Sequence, residues 1–87
     1  MGVCCGDTEV PFLLVFDCIS YGVHEINAMD GMRLQTVIEE LCRRIRVPLS
    51  KISQVLYNYE ILDWNAKIRH LGVPNGGVLL VKFADRN

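Results

Sequence analysis

The chain has 87 residues and a formal net charge of −1, with 51% hydrophobic and 22% charged residues. This length fits one small domain with a single core, and the composition excludes a disordered acidic or basic tail. The small net charge provides no field for nucleic acid, so we expect no nucleic-acid partner. No apolar run is long enough to span a bilayer, and residues 1–11 lack the basic start and apolar core of a secretory signal.

The N-terminal residues predict an arm outside the folded domain. Residues 1–11 are polar and contain glycine, whereas an almost continuous apolar segment begins at Phe12. We therefore expect a flexible arm over residues 1–11 and one domain over residues 12–84.

The first six residues of this arm are typical of N-terminal acylation. Gly2 is a candidate for myristoylation, and the adjacent Cys4 and Cys5 are candidates for palmitoylation. Two lipid chains give stable membrane anchoring, whereas one gives only marginal binding. Gly6 departs from the pattern, which has Ser or Thr there. A membrane tether through Gly2, Cys4 and Cys5 and an unmodified arm are therefore both left open.

Two strands and a helix are predicted next. Residues 12–19 and 23–28 read as strands of a hairpin whose turn is Ser20-Tyr21-Gly22. Asp30 is a candidate helix N-cap, and Val47-Pro48 ends the helix, which we expect over residues 32–44. Apolar side chains recur in this segment at the three- and four-residue intervals of a buried helix face. These are Leu34, Val37, Ile38, Leu41, Cys42 and Ile45.

The C-terminal third completes a ββαββ order that resembles the ubiquitin family. A strand from Val55 runs into a turn and a short returning segment, and an irregular loop follows. Pro74-Asn75-Gly76-Gly77 then turns the chain into a last apolar strand. The resemblance implies an α+β, ubiquitin-like β-grasp fold, with one main helix packed on a mixed sheet. The matching core positions are Phe12, Leu14, Phe16, Ile26, Ala28, Leu34, Val37, Leu41, Val55, Tyr57, Leu62, Ile68, Val73, Leu79 and Val81.

The functional features of that family are only partly present. Ubiquitin-like modifiers end in Gly-Gly, whereas this sequence ends in Phe83-Ala84-Asp85-Arg86-Asn87. We therefore expect no conjugation through this C-terminus, and a modifier whose tail is missing is the alternative. Three of the four residues at the family's binding-patch positions are apolar, while the positively charged rim is lost. The patch positions are Ile19, Leu56, Leu80 and Lys82, and the rim positions are Gln54, Glu60 and Ala84.

Strand alternation predicts a wider apolar surface. If Phe12, Leu14 and Phe16 face inward, Leu13 and Val15 face outward. A contiguous patch of this kind marks a partner surface, whereas scattered exposed aliphatic side chains need no explanation, and both interpretations remain open. The candidate patch comprises Leu13, Val15, Ile19, Val23, Leu56, Val78 and Leu80.

Two aromatic residues follow the third strand. Tyr59 and Trp64 occupy positions that are surface turns in the ubiquitin family, so they are candidate anchors for a partner. The alternative for Trp64 is that it packs over the loop as a lid.

The sequence contains no pattern typical of catalysis or of cofactor binding. His24 and His70 have no local zinc-ligand spacing with the cysteines. Cys18 and Cys42 lie in apolar segments without a visible base, which predicts small core residues in a reducing compartment. We expect no enzyme activity, no cofactor and no metal.

Together these features predict a non-catalytic protein-interaction module that binds a protein partner, or a second copy of itself, through the apolar sheet face. It would be the N-terminal domain of a larger scaffold or adaptor. The predicted location is cytoplasmic, with attachment to a membrane or to a larger intracellular assembly as alternatives. The predicted partner-binding residues are Leu13, Val15, Ile19, Leu56, Tyr59, Trp64 and Leu80.

Overall fold

A computed structural model of the protein describes residues 10–84. In chain order the elements are β1 (Pro11–Asp17), β2 (Val23–Met29), α1 (Leu34–Ile45), β3 (Ile52–Tyr57), β4 (Glu60–Ile61) and β5 (Val78–Phe83). Short 3₁₀ helices at Ile19–Tyr21, Leu49–Lys51 and Ile68–His70 lie in the connections. The predicted α+β class with one main helix is confirmed, and the two-residue strand β4 joins the four predicted strands. Within residues 10–84, no helix is long and apolar enough to cross a membrane.

The five strands form one mixed sheet in the order β2-β1-β5-β3-β4. The first and last strands lie side by side at its centre and are parallel, whereas the other neighbouring pairs are antiparallel. The helix covers β1 and β5 on one face of the sheet. Among the described residues, no element covers the opposite face.

The core lies between α1 and the inner face of the sheet. Leu14 and Phe16 of β1 and Leu79 and Val81 of β5 are fully buried there. The predicted helix stripe packs against them, with Leu34, Val37, Ile38 and Leu41 fully buried and Cys42 nearly so. Two predicted core residues, Phe12 and Tyr57, are only partly buried and pack at the edge of this cluster.

The prediction of Asp30 as the helix N-cap is wrong. The helix begins at Leu34, Arg33 is the N-cap, and no side chain caps it. Backbone carbonyls of the following irregular loop do so instead, because Leu34 N–H donates to Ala66 O (3.1 Å) and Gln35 N–H donates to Trp64 O (2.9 Å). Satisfying these first N–H groups is the physical requirement, and a loop distant in sequence meets it here.

Asp30 instead holds the start of the first strand. Its carboxylate accepts a hydrogen bond from Val10 N–H (3.1 Å), and its own N–H donates to Val10 O (3.0 Å). Pro11 is the first residue of β1, a strand position that tolerates the missing N–H. The folded unit therefore includes the last two residues that we had assigned to the arm. Residues 1–9, with the predicted acylation sites Gly2, Cys4 and Cys5, lie outside the described residues.

Leu41 provides a test of this packing. The Leu41→Ala substitution should lower the free energy of unfolding by about 2–5 kcal/mol, because the side chain is fully buried between helix and sheet. Thr36→Ala, at an exposed position on the same helix, is the control and should change it by no more than about 0.5 kcal/mol. Urea denaturation of both variants measures the difference, and equal midpoints would contradict the assigned helix face.

Candidate interaction face

One row of side chains crosses all five strands on the face opposite α1. Strand pairing aligns Val23 with Asp17, Asp17 with Leu80, Leu80 with Leu56, and Leu56 with Ile61. The apolar members remain accessible, with Val23 62%, Ile61 63% and Leu80 37% exposed. An apolar row of this length, interrupted only by Asp17, is unlike the polar outer face expected of a sheet that contacts water alone. We call this row and its neighbours on the same face the outer face.

A concavity of about 450 Å³ lies on the outer face around Leu80. Leu56, Val78 and Leu80 form its apolar part, and one acidic and one basic residue border it. Its lining comprises Asp17, Leu56, Asn58, Tyr59, Val78, Leu80 and Lys82.

The two charged residues have different surroundings. Asp17 is partly buried, and its Oδ1 accepts a hydrogen bond from Ile19 N–H (3.2 Å), while Lys82 is exposed. Within residues 10–84 neither side chain forms an ion pair. Their charges are therefore available to groups that approach the outer face.

Tyr59 stands at the rim of the concavity in a strained backbone conformation. Asn58 and Tyr59 form the two-residue turn between β3 and β4, with φ values of +55° and +70°. Asn tolerates this left-handed region, whereas a bulky residue there is a true outlier, and Gly is preferred at the second position. The Tyr59 side chain is nevertheless 95% exposed, so contacts within the domain do not offset the strain.

The structure separates the other predicted partner-binding residues. Val15 pairs with Val78 and extends the outer face beside the concavity. Leu13 lies four residues before Asp17 on β1 and does not line the concavity. Its N–H donates to Asn75 Oδ1 (2.7 Å). Ile19 is exposed and lines a different concavity, together with Tyr21 and Phe83, at the end of the sheet. Its φ is +57°.

Trp64 does not join Tyr59. It is partly buried against the core, and its carbonyl caps α1 through Gln35 N–H. These contacts agree with the alternative in which Trp64 packs over the loop as a lid, and Trp64 does not line the concavity that Tyr59 borders.

The two described cysteines are poorly suited to nucleophilic chemistry. Burial raises the pKa of the Cys18 thiol from its usual value of 9.0 to about 11, and the charges of Asp17 and Cys42 add to the shift. Burial also raises the pKa of the Cys42 thiol, with a further contribution from Glu39. At neutral pH both are protonated, and the thiolate is the reactive form. Residues 10–84 contain no cluster of three or more His, Cys, Asp or Glu side chains that could hold a metal.

A second concavity, of about 370 Å³, lies between β2 and α1. Its charged rim is already engaged within the domain. Arg43 pairs with Glu40, and Arg44 Nη1 donates to Glu25 O (2.7 Å). Asp17 and Lys82 of the outer face, by contrast, have no ion-pair partner among residues 10–84.

Two residues of the outer face, Asp17 and Ile61, were missing from the predicted site, whereas Lys82 was named there through the resemblance to the ubiquitin family. Asp17 follows the alternation of Leu13 and Val15, so strand period alone could have placed it. Ile61 could not be placed in this way, because its position depends on the two-residue strand β4.

Comparison with known proteins supports the fold. No protein-family model and no curated protein match this sequence. A solved structure described as molecular mimicry of SUMO that promotes DNA repair is 12% identical, with a TM-score of 0.75 over 83% of this chain and 90% of that one. A de novo design based on ubiquitin is 14% identical, with a TM-score of 0.75 over 88% of this chain and 93% of that one. The chain has a ubiquitin-like β-grasp fold, and these identities assign no subfamily.

The strain at Tyr59 leads to a testable separation of stability from binding. Tyr59→Gly should keep the free energy of unfolding or raise it by up to about 1 kcal/mol, because Gly adopts positive φ without penalty. The same variant should bind a partner of the outer face more weakly, because the exposed aromatic ring is lost. Thermal melts and a binding titration measure the two effects. A less stable variant with unchanged binding would contradict the role assigned to Tyr59.

The cysteine environment predicts slow alkylation in the folded state. At about pH 8 only about a thousandth of the Cys18 thiol is ionised, so iodoacetamide should label it and Cys42 far more slowly than in urea. Peptide mass mapping resolves the sites, and labelling as fast as in urea would refute this assignment.

The raised pKa of Cys18 also predicts that the free energy of unfolding falls at high pH, because above pH 9 the unfolded state holds fewer thiol protons than the folded state. The Cys18 contribution is therefore complete below pH 9 and is lost as the pH rises towards about 11.

Proposed function

We propose that this domain is a non-catalytic protein-interaction module that binds a protein partner through the outer face, within a larger scaffold or adaptor. The observation that carries the proposal is the accessible apolar row over the sheet, in which Val23, Leu80 and Ile61 are exposed and Leu56 is partly buried. Contiguous apolar surface on a small soluble domain is typical of a partner surface.

Three further observations support binding at this position. The concavity around Leu80 gives the surface a central depression that a partner's side chain can fill. Tyr59 presents a nearly fully exposed ring at its rim. Asp17 and Lys82, which form no ion pair within the part of the chain that the structure describes, offer charges beside it. An apolar centre with an aromatic anchor and a charged border is the composition of a specific interface.

The non-catalytic part of the proposal is supported by the protonated, buried thiols of Cys18 and Cys42. We also propose a reducing, cytoplasmic location, which is supported by the position of Cys18 and Cys42 in apolar segments of the sequence. A neighbour in the structural comparison is described as molecular mimicry of SUMO, and that description concerns the neighbour.

Acylation of the arm remains a second proposal, supported only by the sequence around Gly2, Cys4 and Cys5. It adds a membrane tether and does not compete with binding through the outer face. Intact mass measurement of protein purified from its native cells tests it, and an unmodified N-terminus would exclude the tether in those cells.

Leu56→Glu tests the interaction module directly. The glutamate places a charge at the centre of the outer face, so capture of native partners should fall at least about tenfold while the domain stays folded. His70→Glu introduces the same side chain at an exposed position away from the concavity and should capture the same partners as wild type.

Circular dichroism confirms folding of both variants, and quantitative mass spectrometry compares what they capture. If folded Leu56→Glu retains every partner of the wild-type protein, the outer face is not the binding surface.

A further inference from the structure

Any occupant of the outer face must meet one acid and one base that border the same apolar centre. Asp17 neighbours Leu80 on the adjacent strand, and Lys82 follows Leu80 by two residues along β5. Covering an unpaired charge with apolar surface removes its hydration and is costly. A well-matched occupant therefore supplies a cation opposite Asp17 and an anion opposite Lys82, on either side of apolar side chains.

We infer that this occupant is a second copy of the same chain, so that the domain forms a two-fold symmetric dimer through the outer face. This inference rests on the proposed function of that face and names its partner. A second copy carries the required apolar centre together with one cation and one anion at the required spacing. In a two-fold interface, each contact that residue Asp17 makes with Lys82 occurs twice.

The sheet geometry allows this pairing. Neighbouring strands are about 5 Å apart, and alternate residues along a strand are about 7 Å apart. Seen from Leu80, Asp17 lies to one side and Leu56 to the other, whereas Lys82 and Val78 lie ahead and behind along β5.

A two-fold axis in the plane of the interface, passing diagonally beside Leu80, exchanges the across-strand and along-strand directions. It sets Leu80 against Leu80 of the second copy, Asp17 against Lys82, and Val78 against Leu56. The strands of the two sheets then cross near a right angle, which is one of the two established ways in which sheets pack face to face.

Charge reversal in two separate variants tests this arrangement. Asp17→Lys places two lysines in each contact of its own dimer, and Lys82→Asp places two aspartates there, so each variant alone should dimerise at least about tenfold more weakly than wild type. When the two variants are mixed in equal amounts, every contact again joins Lys with Asp. The mixture should therefore recover dimers close to the wild-type level.

Analytical ultracentrifugation of the whole chain measures all four samples, and 1 M salt should reduce the differences between them. Glu25→Lys is the matched control, because Glu25 is an exposed acid on the same face beside Val15 and lies outside the proposed contact. It should dimerise like wild type. Asp17→Asn is the second variant at the acidic position, because it keeps an acceptor for Ile19 N–H while removing the charge. It should also weaken the dimer.

The outcomes separate the dimer from the proposed function. Wild-type protein that stays monomeric up to about 1 mM overturns the dimer. A mixture that recovers no dimers also overturns it, because mixing the two variants restores only those contacts between Asp17 and Lys82 that form between two copies. If the dimer fails while Leu56→Glu still loses native partners, the outer face binds a different protein and the proposed function stands.

Discussion

The structure depends on the burial of alternate side chains from the two central strands against one helix. Leu14 and Phe16 in β1, and Leu79 and Val81 in β5, are fully buried. Because successive strand residues point to opposite faces, this burial directs the intervening residues to the outer face. Burial of the core side chains therefore determines where the outer face lies. What the outer face can bind depends on the intervening residues, which point away from the core.

The same two charges that border the concavity also help to specify which face of the sheet is buried. Both central strands are apolar on both sides, so hydrophobic pattern alone specifies their register weakly. A one-residue slip would turn Asp17 and Lys82 towards the helix, where burying an unpaired charge is prohibitive. The turns add geometric constraints, since Gly76 N–H donates to Leu13 O (2.7 Å) beside the last strand. Asp17 and Lys82 therefore contribute to fold specificity whether or not a partner covers them, and the paired charge reversals distinguish that role from recognition.

The sequence predicted the elements whose signal is local and missed those that depend on distant contacts. The helix stripe from Leu34 to Leu41 has the full helical period, and the structure buries it as expected. The cap at Asp30 was wrong because carbonyls some thirty residues later satisfy the helix N–H groups, and composition near the helix carries no sign of them. Ile19 and Trp64 were named through the resemblance to the ubiquitin family, as a binding-patch position and a surface-turn position. In the structure Ile19 lies at the end of the sheet, and Trp64 packs against the core and caps the helix.

The distribution of strain separates stability from recognition. Three bulky residues have positive φ, namely Ile19, Arg46 and Tyr59; all lie in connections between the main elements, and their side chains are exposed rather than packed in the core. A left-handed conformation costs roughly 1–2 kcal/mol per residue, which is a large share of the few kcal/mol that hold so small a domain together. Asn-Gly would form the β3–β4 turn without this cost, and the stability of the fold therefore gives no reason for the Tyr59 side chain. Its ring stands instead at the rim of the concavity, where it is exposed to a partner that binds there. The helix side of the sheet thus accounts for stability, while the outer face carries features that stability alone does not require.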